Sequence, residues 1–303
     1  MKTVVIFGGA GFVGRNIIRR IVQNDYKIII PYQKQVNEAK LRLLGTVGQV
    51  IPLKFKHLKD DKILLLLNQA DIIINLKTLW DEKKIKYNKG ILDFNKKLVD
   101  IIKDTKENPQ FIYFSGIGID KESNSFRSKA IFLSEKYMQT NLKNSIIIKP
   151  SVIIGGGDKF LKNLLPLFKV SFFIPLFGNG LSKFQPVFID DVCMAVKKII
   201  DTKLLGKYIY EFVGIEVFTY KDFFEFLSQC INKKRVFVKI PFKLAKFGIS
   251  IFEKTPFSPI NLEQLKLFES DNISYNNYKK LEDLNILPQD VREIIKKIVK
   301  KNM

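Results

Sequence analysis

The residues best suited to chemistry stand near the N-terminus. Gly8, Gly11 and Gly14 fall in the run GGAGFVG, a G-x-x-G-x-x-G pattern. A tight turn at Gly8, open backbone at Gly11 and close helix packing at Gly14 would together cradle a pyrophosphate. Phe12 and Val13 would open a helix whose unpaired N–H groups and positive dipole end suit the phosphates. The glycine pattern alone is weak; its place after a strand and before a helix is the confirming context. About 20 residues further on, such sites commonly carry Asp or Glu to hold a ribose 2′-hydroxyl. This chain has Pro31, Tyr32, Gln33 and Lys34 there, with no acid before Glu38. A carboxylate would repel a 2′-phosphate and Lys34 would attract one, so NADP(H) is favoured over NAD(H). The plain alternative is that Lys34 is one more surface lysine.

Other reactive side chains are few. His57 is the only histidine, so multi-histidine metal sites are excluded and no metal is expected. A Ser-His-Asp triad would rest on that one residue. Cys193 and Cys230 are the only cysteines, which excludes a disulfide scaffold. Both read as packing residues. Asp190 and Asp191 form a carboxylate pair, but Asp190 is better explained as a helix cap. Trp80, beside Asp81 and Glu82, reads as an isolated surface or interface aromatic.

These residues need elements to position them. Apolar runs at 3–8, 27–30, 50–55, 71–76, 111–115 and 145–148 read as strands. Helical spacing covers 12–23, 60–69, 91–102 and 121–140. Short apolar strands alternating with helices imply right-handed βαβ units and a parallel sheet. The expected fold is α/β, a doubly wound parallel sheet over 1–153, with a smaller C-terminal α/β domain over 154–303. Residues 183–201 are expected to pack back on the first domain. In the second half, GGGD at 155–158 and GNG at 178–180 read as loops. A strand is expected at 208–213, and helices at 190–200, 220–230, 242–254, 261–269 and 291–301. The stretch 241–257 mixes lysine with apolar residues on more than one face. It suits either a membrane-surface or partner-binding helix, or a core helix of the small domain. The basic C-terminal stretch EIIKKIVKKNM reads as a capping helix or an anionic-lipid contact.

The chain has 303 residues and a formal net charge of +21. Of its 51 basic residues only seven are arginine, and the lysines are spread along every segment. That is a compositional bias and not a binding stripe, so no nucleic-acid partner is expected. No apolar run approaches the roughly 20 residues of a spanning helix, and no signal-peptide pattern opens the sequence. A cytoplasmic or peripherally attached protein is expected.

GGAGFVGRNIIRRI resembles the opening of the extended and atypical short-chain dehydrogenase/reductase superfamily. More narrowly, IIIPYQK, LRLLGTVGQV, YFSGIGID, SKAIFLSEK, IIKPSVIIGGGDKF, FQPVFIDDV and SPINLEQLKLFESDNI occur in order. Together they resemble the 39 kDa accessory subunit family of respiratory complex I (NADH:ubiquinone oxidoreductase), from residue 1 to about 275. The resemblance implies an NADP(H)-binding Rossmann domain, a smaller C-terminal domain and a non-catalytic role beside complex I subunits. It also implies a peripheral place at the inner face of a membrane, the matrix side in a mitochondrion.

The superfamily's catalysis rests on Tyr-x-x-x-Lys and a strand serine. Ser115 matches the serine and Lys129 the lysine, but Ser125 stands where the tyrosine belongs. A serine hydroxyl is far too weak an acid to replace it. The resemblance therefore implies lost reductase chemistry, with Lys129 left to hold a ribose. It further implies that Leu76 and Lys77 line the cofactor through backbone and that Pro150 and Ser151 close over the nicotinamide end. After the third strand the chain departs from the family, which often has an acid there to touch adenine; Lys56 in that neighbourhood would instead add to 2′-phosphate attraction. Two other readings stay open. One is an NAD(P)-dependent oxidoreductase or epimerase acting on a nucleotide-sugar, quinone-precursor or lipid-like substrate. The other is an NmrA-like dinucleotide sensor.

Overall fold

A computed structural model describes residues 1–303 apart from 81, 83, 84, 106, 107, 122, 253–260, 276 and 303. Six strands follow the apolar runs: β1 (Lys2–Phe7), β2 (Tyr26–Tyr32), β3 (Val50–Lys54), β4 (Ile72–Asn75), β5 (Gln110–Phe114) and β6 (Ser145–Pro150). Between them lie α1 (Phe12–Ile21), α2 (Glu38–Arg42), α3 (Asp61–Asn68), α4 (Asp93–Lys103) and α5 (Phe126–Asn141). A single π turn, Asn88–Leu92, leads into α4. Helix α6 (Ile189–Asp201) and strand β7 (Lys207–Phe212) come from much later in the chain.

The strands form one sheet in the order β7-β6-β5-β4-β1-β2-β3. The five pairings among β1 to β6 are parallel. Strand order reverses between β1 and β4, the place where doubly wound sheets open a crevice at their carboxyl ends. Val4, Val5, Ile6, Ile28, Ile30, Ile73, Ile74, Ile112 and Ile146 are all buried. Near-continuous aliphatic strands are what a sheet covered on both faces requires.

The chain divides into two compact units. The first holds Met1–Lys149, Ile189–Glu211 and Tyr278–Ile286. The second holds Pro150–Phe188, Phe212–Asn277 and Leu287–Met303. A single cut at residue 153 therefore misses two returns of the chain. The 208–213 strand, expected in the smaller domain, joins the main sheet as β7. Helix α6 packs on α1 in the first unit. It starts at Ile189, so Asp190 lies within its first turn and not at a cap outside it. Asp191 is fully buried.

The second unit is built on aromatic packing. Phe184 stacks on Tyr220 at 4.6 Å and meets Phe223 edge-on at 5.0 Å. Phe168 meets Phe224 edge-on at 5.4 Å. Offset and edge-on geometries are those that aromatic rings favour. The helix Lys159–Val170, which the sequence reading missed, begins on Asp158. Its carboxylate accepts from Leu161 N at 2.7 Å and Gly155 N at 3.0 Å. The same side chain thus closes the GGGD turn and caps the helix, and burial pushes its carboxyl up from the usual range. The helix Phe242–Phe252 is not a core helix: Ala245 is buried, while Leu244, Phe247 and Ile251 are exposed. Spacings of three and four put those three on one side. The expected extension of this helix to 254 lies outside the described residues, as do Asp81 and residues 258–260 of the SPINLEQ segment. Among the described residues, no helix is long and apolar enough to cross a membrane.

Replacing Asp158 by Ala should cost about 1–2 kcal/mol, the value of a buried helix cap. Chemical denaturation reads it; a loss below about 0.5 kcal/mol would show that the turn holds without the carboxylate.

Candidate functional site

The turn after β1 is held by backbone. Gly9 N donates to Ile6 O at 3.2 Å, Gly11 N to Gly8 O at 3.0 Å, and Leu76 N to Phe7 O at 2.9 Å. Gly8 has φ +79°, which L side chains rarely adopt. A Cβ on Gly14 would lie 2.5 Å from Gly9 Cα and 2.7 Å from Gly9 O. The start of α1 is thus pressed against the turn, and only hydrogen fits between. No side chain caps α1; Gly11 sits at its N-cap. The first N–H groups of a helix have no intrahelical partner. A turn closed by backbone against an uncapped helix start fits a dinucleotide pyrophosphate.

The exits of β2, β3 and β4 carry the polar groups beside this turn. Tyr32 ends β2, and its hydroxyl donates to Glu38, which also accepts from Arg42 at 3.0 Å. The carboxylate holds the phenol above its usual range, and the phenol and guanidinium hold Glu38 below its own. Lys34 is exposed, and so is Lys56 just after β3. His57 is exposed and sits 2.8 Å from Asp60, whose carboxylate also accepts from Lys56 N at 2.7 Å. His57 is therefore a loop staple and not a base.

After β4, a buried chain of amides shapes the exit. Asn75 donates to Asn95 at 2.7 Å, and Asn95 donates to the Tyr113 hydroxyl at 3.3 Å. Asn75 Oδ1 accepts from Lys77 N at 3.0 Å. The Lys77 ammonium donates to Gln33 Oε1 at 2.9 Å and lies 3.5 Å from the Phe94 ring centroid. Burial, with Lys34 nearby, pushes it down to about 8. Lys77 therefore reaches the site through its side chain as well as its backbone.

Of the residues aligned with catalysis, Ser115 is engaged by a buried carboxylate and Lys129 is exposed. Ser115 follows β5, and its hydroxyl is donated to Glu135 on α5. The other Glu135 oxygen is 2.9 Å from Lys149 on β6, and both side chains are 7% exposed. Burial raises the Glu135 carboxyl while Lys149 and Ser115 pull it back. Lys129 is exposed. Six residues from Glu135, it lies about 120° around the helix. Arg127 and Ile131, eight and four residues before Glu135, hold the buried face instead. Arg127 donates to Leu79 O at 2.8 Å and Thr78 Oγ1 at 3.1 Å and stacks on Trp80 at 3.8 Å. Trp80 is thus the platform of a cation–π pair and not an isolated aromatic.

Ser125 caps α5, accepting from Ser128 N at 3.0 Å. That cap makes α5 begin at Phe126, five residues after the sequence pattern suggested. Pro150 and Ser151 open the second unit. There the Ser151 hydroxyl donates to Asn272, with Oδ1 at 2.6 Å and the carbonyl at 3.1 Å. Cys193 is buried, and burial pushes its thiol up to about 12, as expected for packing. Cys230 is half-buried and also raised. Among the described residues no cluster of three metal-ligating side chains occurs. Sequence reasoning passed over Glu135, Lys149 and Arg127. The SKAIFLSEK and IIKPS segments contain them, but nothing in their spacing shows the pairing.

Two outcomes test this geometry. Lys149→Met should destabilise by about 3–5 kcal/mol by stranding the buried Glu135 charge, and adding Glu135→Leu should restore most of it. Equal losses in the single and double variants would deny the pair. Lys77 titrates lower in the folded protein than in the unfolded chain. The unfolded chain then holds more protons between about pH 8 and the ordinary lysine value of 10.5. On that account stability rises with pH across that window, and the rise should be missing in Lys77→Met when denaturant midpoints of the two are compared.

A model of the NAD dependent epimerase/dehydratase family matches residues 4–122. NADH dehydrogenase (ubiquinone) 1 alpha subcomplex subunit 9, a mitochondrial protein of Arabidopsis thaliana, is 28% identical over 300 residues, covering 95% of this chain and 74% of the relative. Among solved structures, dTDP-glucose 4,6-dehydratase of Bacillus anthracis in complex with NAD superposes with a TM-score of 0.69 at 16% identity. It covers 99% of this chain and 96% of that one. A human epimerase family protein solved with NADPH gives 0.69 at 13% identity, covering 98% and 99%. The structural likenesses show the dinucleotide-binding Rossmann fold and no more. Along nearly the whole chain the sequence is similar to the alpha subcomplex subunit 9 proteins, and over residues 4–122 to the epimerase/dehydratase family.

Proposed function

We propose that this chain holds NADP(H) without turning it over and serves as an accessory or assembly component of respiratory complex I. The observation that carries the reading is the fate of the Ser115 hydroxyl. It is spent on the buried Glu135–Lys149 pair, while Ser125 caps a helix and Lys129 faces solvent. No phenol stands four residues before Lys129 to donate a proton. The phosphate cradle, by contrast, is intact.

Bound NADP(H) would bring hydride chemistry. Gly8, Gly11, Phe12, Val13 and Gly14 would hold its pyrophosphate, and Tyr32, Lys34, Lys56, Leu76 and Lys77 its adenosine half. Ser115, Lys129, Pro150 and Ser151 are the positions assigned to the nicotinamide half. The lack of an acid beside Lys34 supports NADP(H) over NAD(H). The names of the relatives support complex I subunits as partners.

A peripheral place on an anionic membrane has its own support. Residues 233–252 carry six lysines and arginines and no acid. The exposed Leu244, Phe247 and Ile251 lie on one side of the helix Phe242–Phe252. A short helix with apolar and cationic surface suits the headgroup boundary.

Nucleotide released from the purified native protein should be NADPH, and complex I subunits should co-purify. Bound NAD would overturn the second-strand argument. Turnover of NADPH that Ser115→Ala or Lys129→Ala abolishes would overturn the non-catalytic reading. Replacing Leu244, Phe247 and Ile251 by Ser should abolish sedimentation with vesicles rich in phosphatidylserine; unchanged sedimentation would remove the membrane face.

A further inference from the structure

Lys77 reaches from the exit of β4 to the exit of β2, where it meets Gln33. In the sheet β1 lies between those strands, so the lysine side chain spans the carboxyl end of β1 beside the glycine turn. Its far end is fixed from several sides. Gln33 accepts from it while donating to Lys56 O at 2.8 Å, and the Phe94 ring lies against it. Its near end is fixed by the Asn75 side chain on Lys77 N.

The charge balance around this ammonium is one-sided. Lys34 is the neighbouring charge that acts on it. Among the described residues neither lysine is bonded to a carboxylate. The two nearest acids along the strand exits are already engaged. Glu38 holds Tyr32 and Arg42, and Asp60 holds His57 and the backbone of Lys56. A half-buried cation resting on an amide carbonyl and an aromatic ring lacks the charged acceptor that would stabilise it most. A second lysine near enough to act on it leaves these strand exits positive, and a phosphate monoester dianion is the complementary ligand.

We propose that Lys77 and Lys34 form a two-lysine clamp for a phosphate monoester, the 2′-phosphate of the dinucleotide, with Lys77 leaving Gln33 to take it. The assignment rests on the dinucleotide reading above and adds a side chain from β4 to the determinants on β2. It gives Lys77 a role that backbone lining does not require. Because the ammonium is partly neutral near pH 8 when it faces only Lys34, Gln33 and Phe94, capture of a phosphate draws a proton onto it.

The test is calorimetric titration of the full chain, stripped of nucleotide, with NADPH and with NADH. Lys77→Met should weaken NADPH about tenfold or more and leave NADH within about twofold. Lys77→Arg should keep most of the preference. Equal weakening of both nucleotides, or of neither, overturns the clamp while leaving the binding reading intact. Failure of the wild-type chain to bind either nucleotide overturns the binding reading itself. Should Lys77→Met not fold, the wild type still decides. At pH 8, NADPH binding should take up protons that NADH binding does not, and identical proton uptake for the two overturns the clamp.

Discussion

The contact between the first helix and the first turn governs the nucleotide half of this molecule. Gly14 presses on Gly8 and Gly9 so closely that no side-chain atom fits. That approach sets where α1 starts, and with it the direction of its unpaired N–H groups. It also brings Leu76, one residue past β4, against Gly8. The exits of β1 and β4 are therefore locked together, and the crevice between them has a fixed floor. Everything proposed for a ligand is arranged relative to that floor. A longer side chain at either glycine would displace the helix, the β4 exit, or both.

The same scaffold separates holding from reacting. A reductase needs a proton donor free to approach its substrate. Here the groups that descend on the reaction end are turned inward. Ser115, Glu135 and Lys149 satisfy one another across β5, α5 and β6. A charged pair at this depth contributes little net stability, because desolvation offsets its attraction. It does fix the register of α5 against the sheet, since any other register strands two charges. The Ser115 hydroxyl is thereby committed to positioning, and the non-catalytic reading proposed above rests on that commitment.

What could be read from the sequence was local. GGAGFVG, between an apolar run and a helical run, announced strand, turn and helix because each step is decided by neighbours. The parallel sheet followed from the alternation of short aliphatic runs with helices. The start of α5 was misread because helical spacing continues upstream of Ser125, whereas its side-chain cap ends the helix there. Glu135 and Lys149 were invisible as a pair, since fourteen residues and a turn separate them in sequence. The helix Phe242–Phe252 carries apolar residues on more than one face, and only the tertiary packing shows which side is exposed. Lys77 read as a backbone position because the reach of a lysine across β1 depends on strand order, not on spacing.

The seventh strand carries a consequence for how the molecule is made. Strand β7 lies next to β6 in the sheet but is separated from it by more than fifty residues, most of them in the second unit. A chain emerging from the ribosome can pair β1 to β6 early, but the outer edge of β6 stays bare until residues 207–212 appear. An exposed edge of Ser145, Ile146, Ile147 and Ile148 is a template for unwanted strand pairing. Synthesis of residues 151–206, the first piece of the second unit followed by the α6 return, is thus a window of vulnerability.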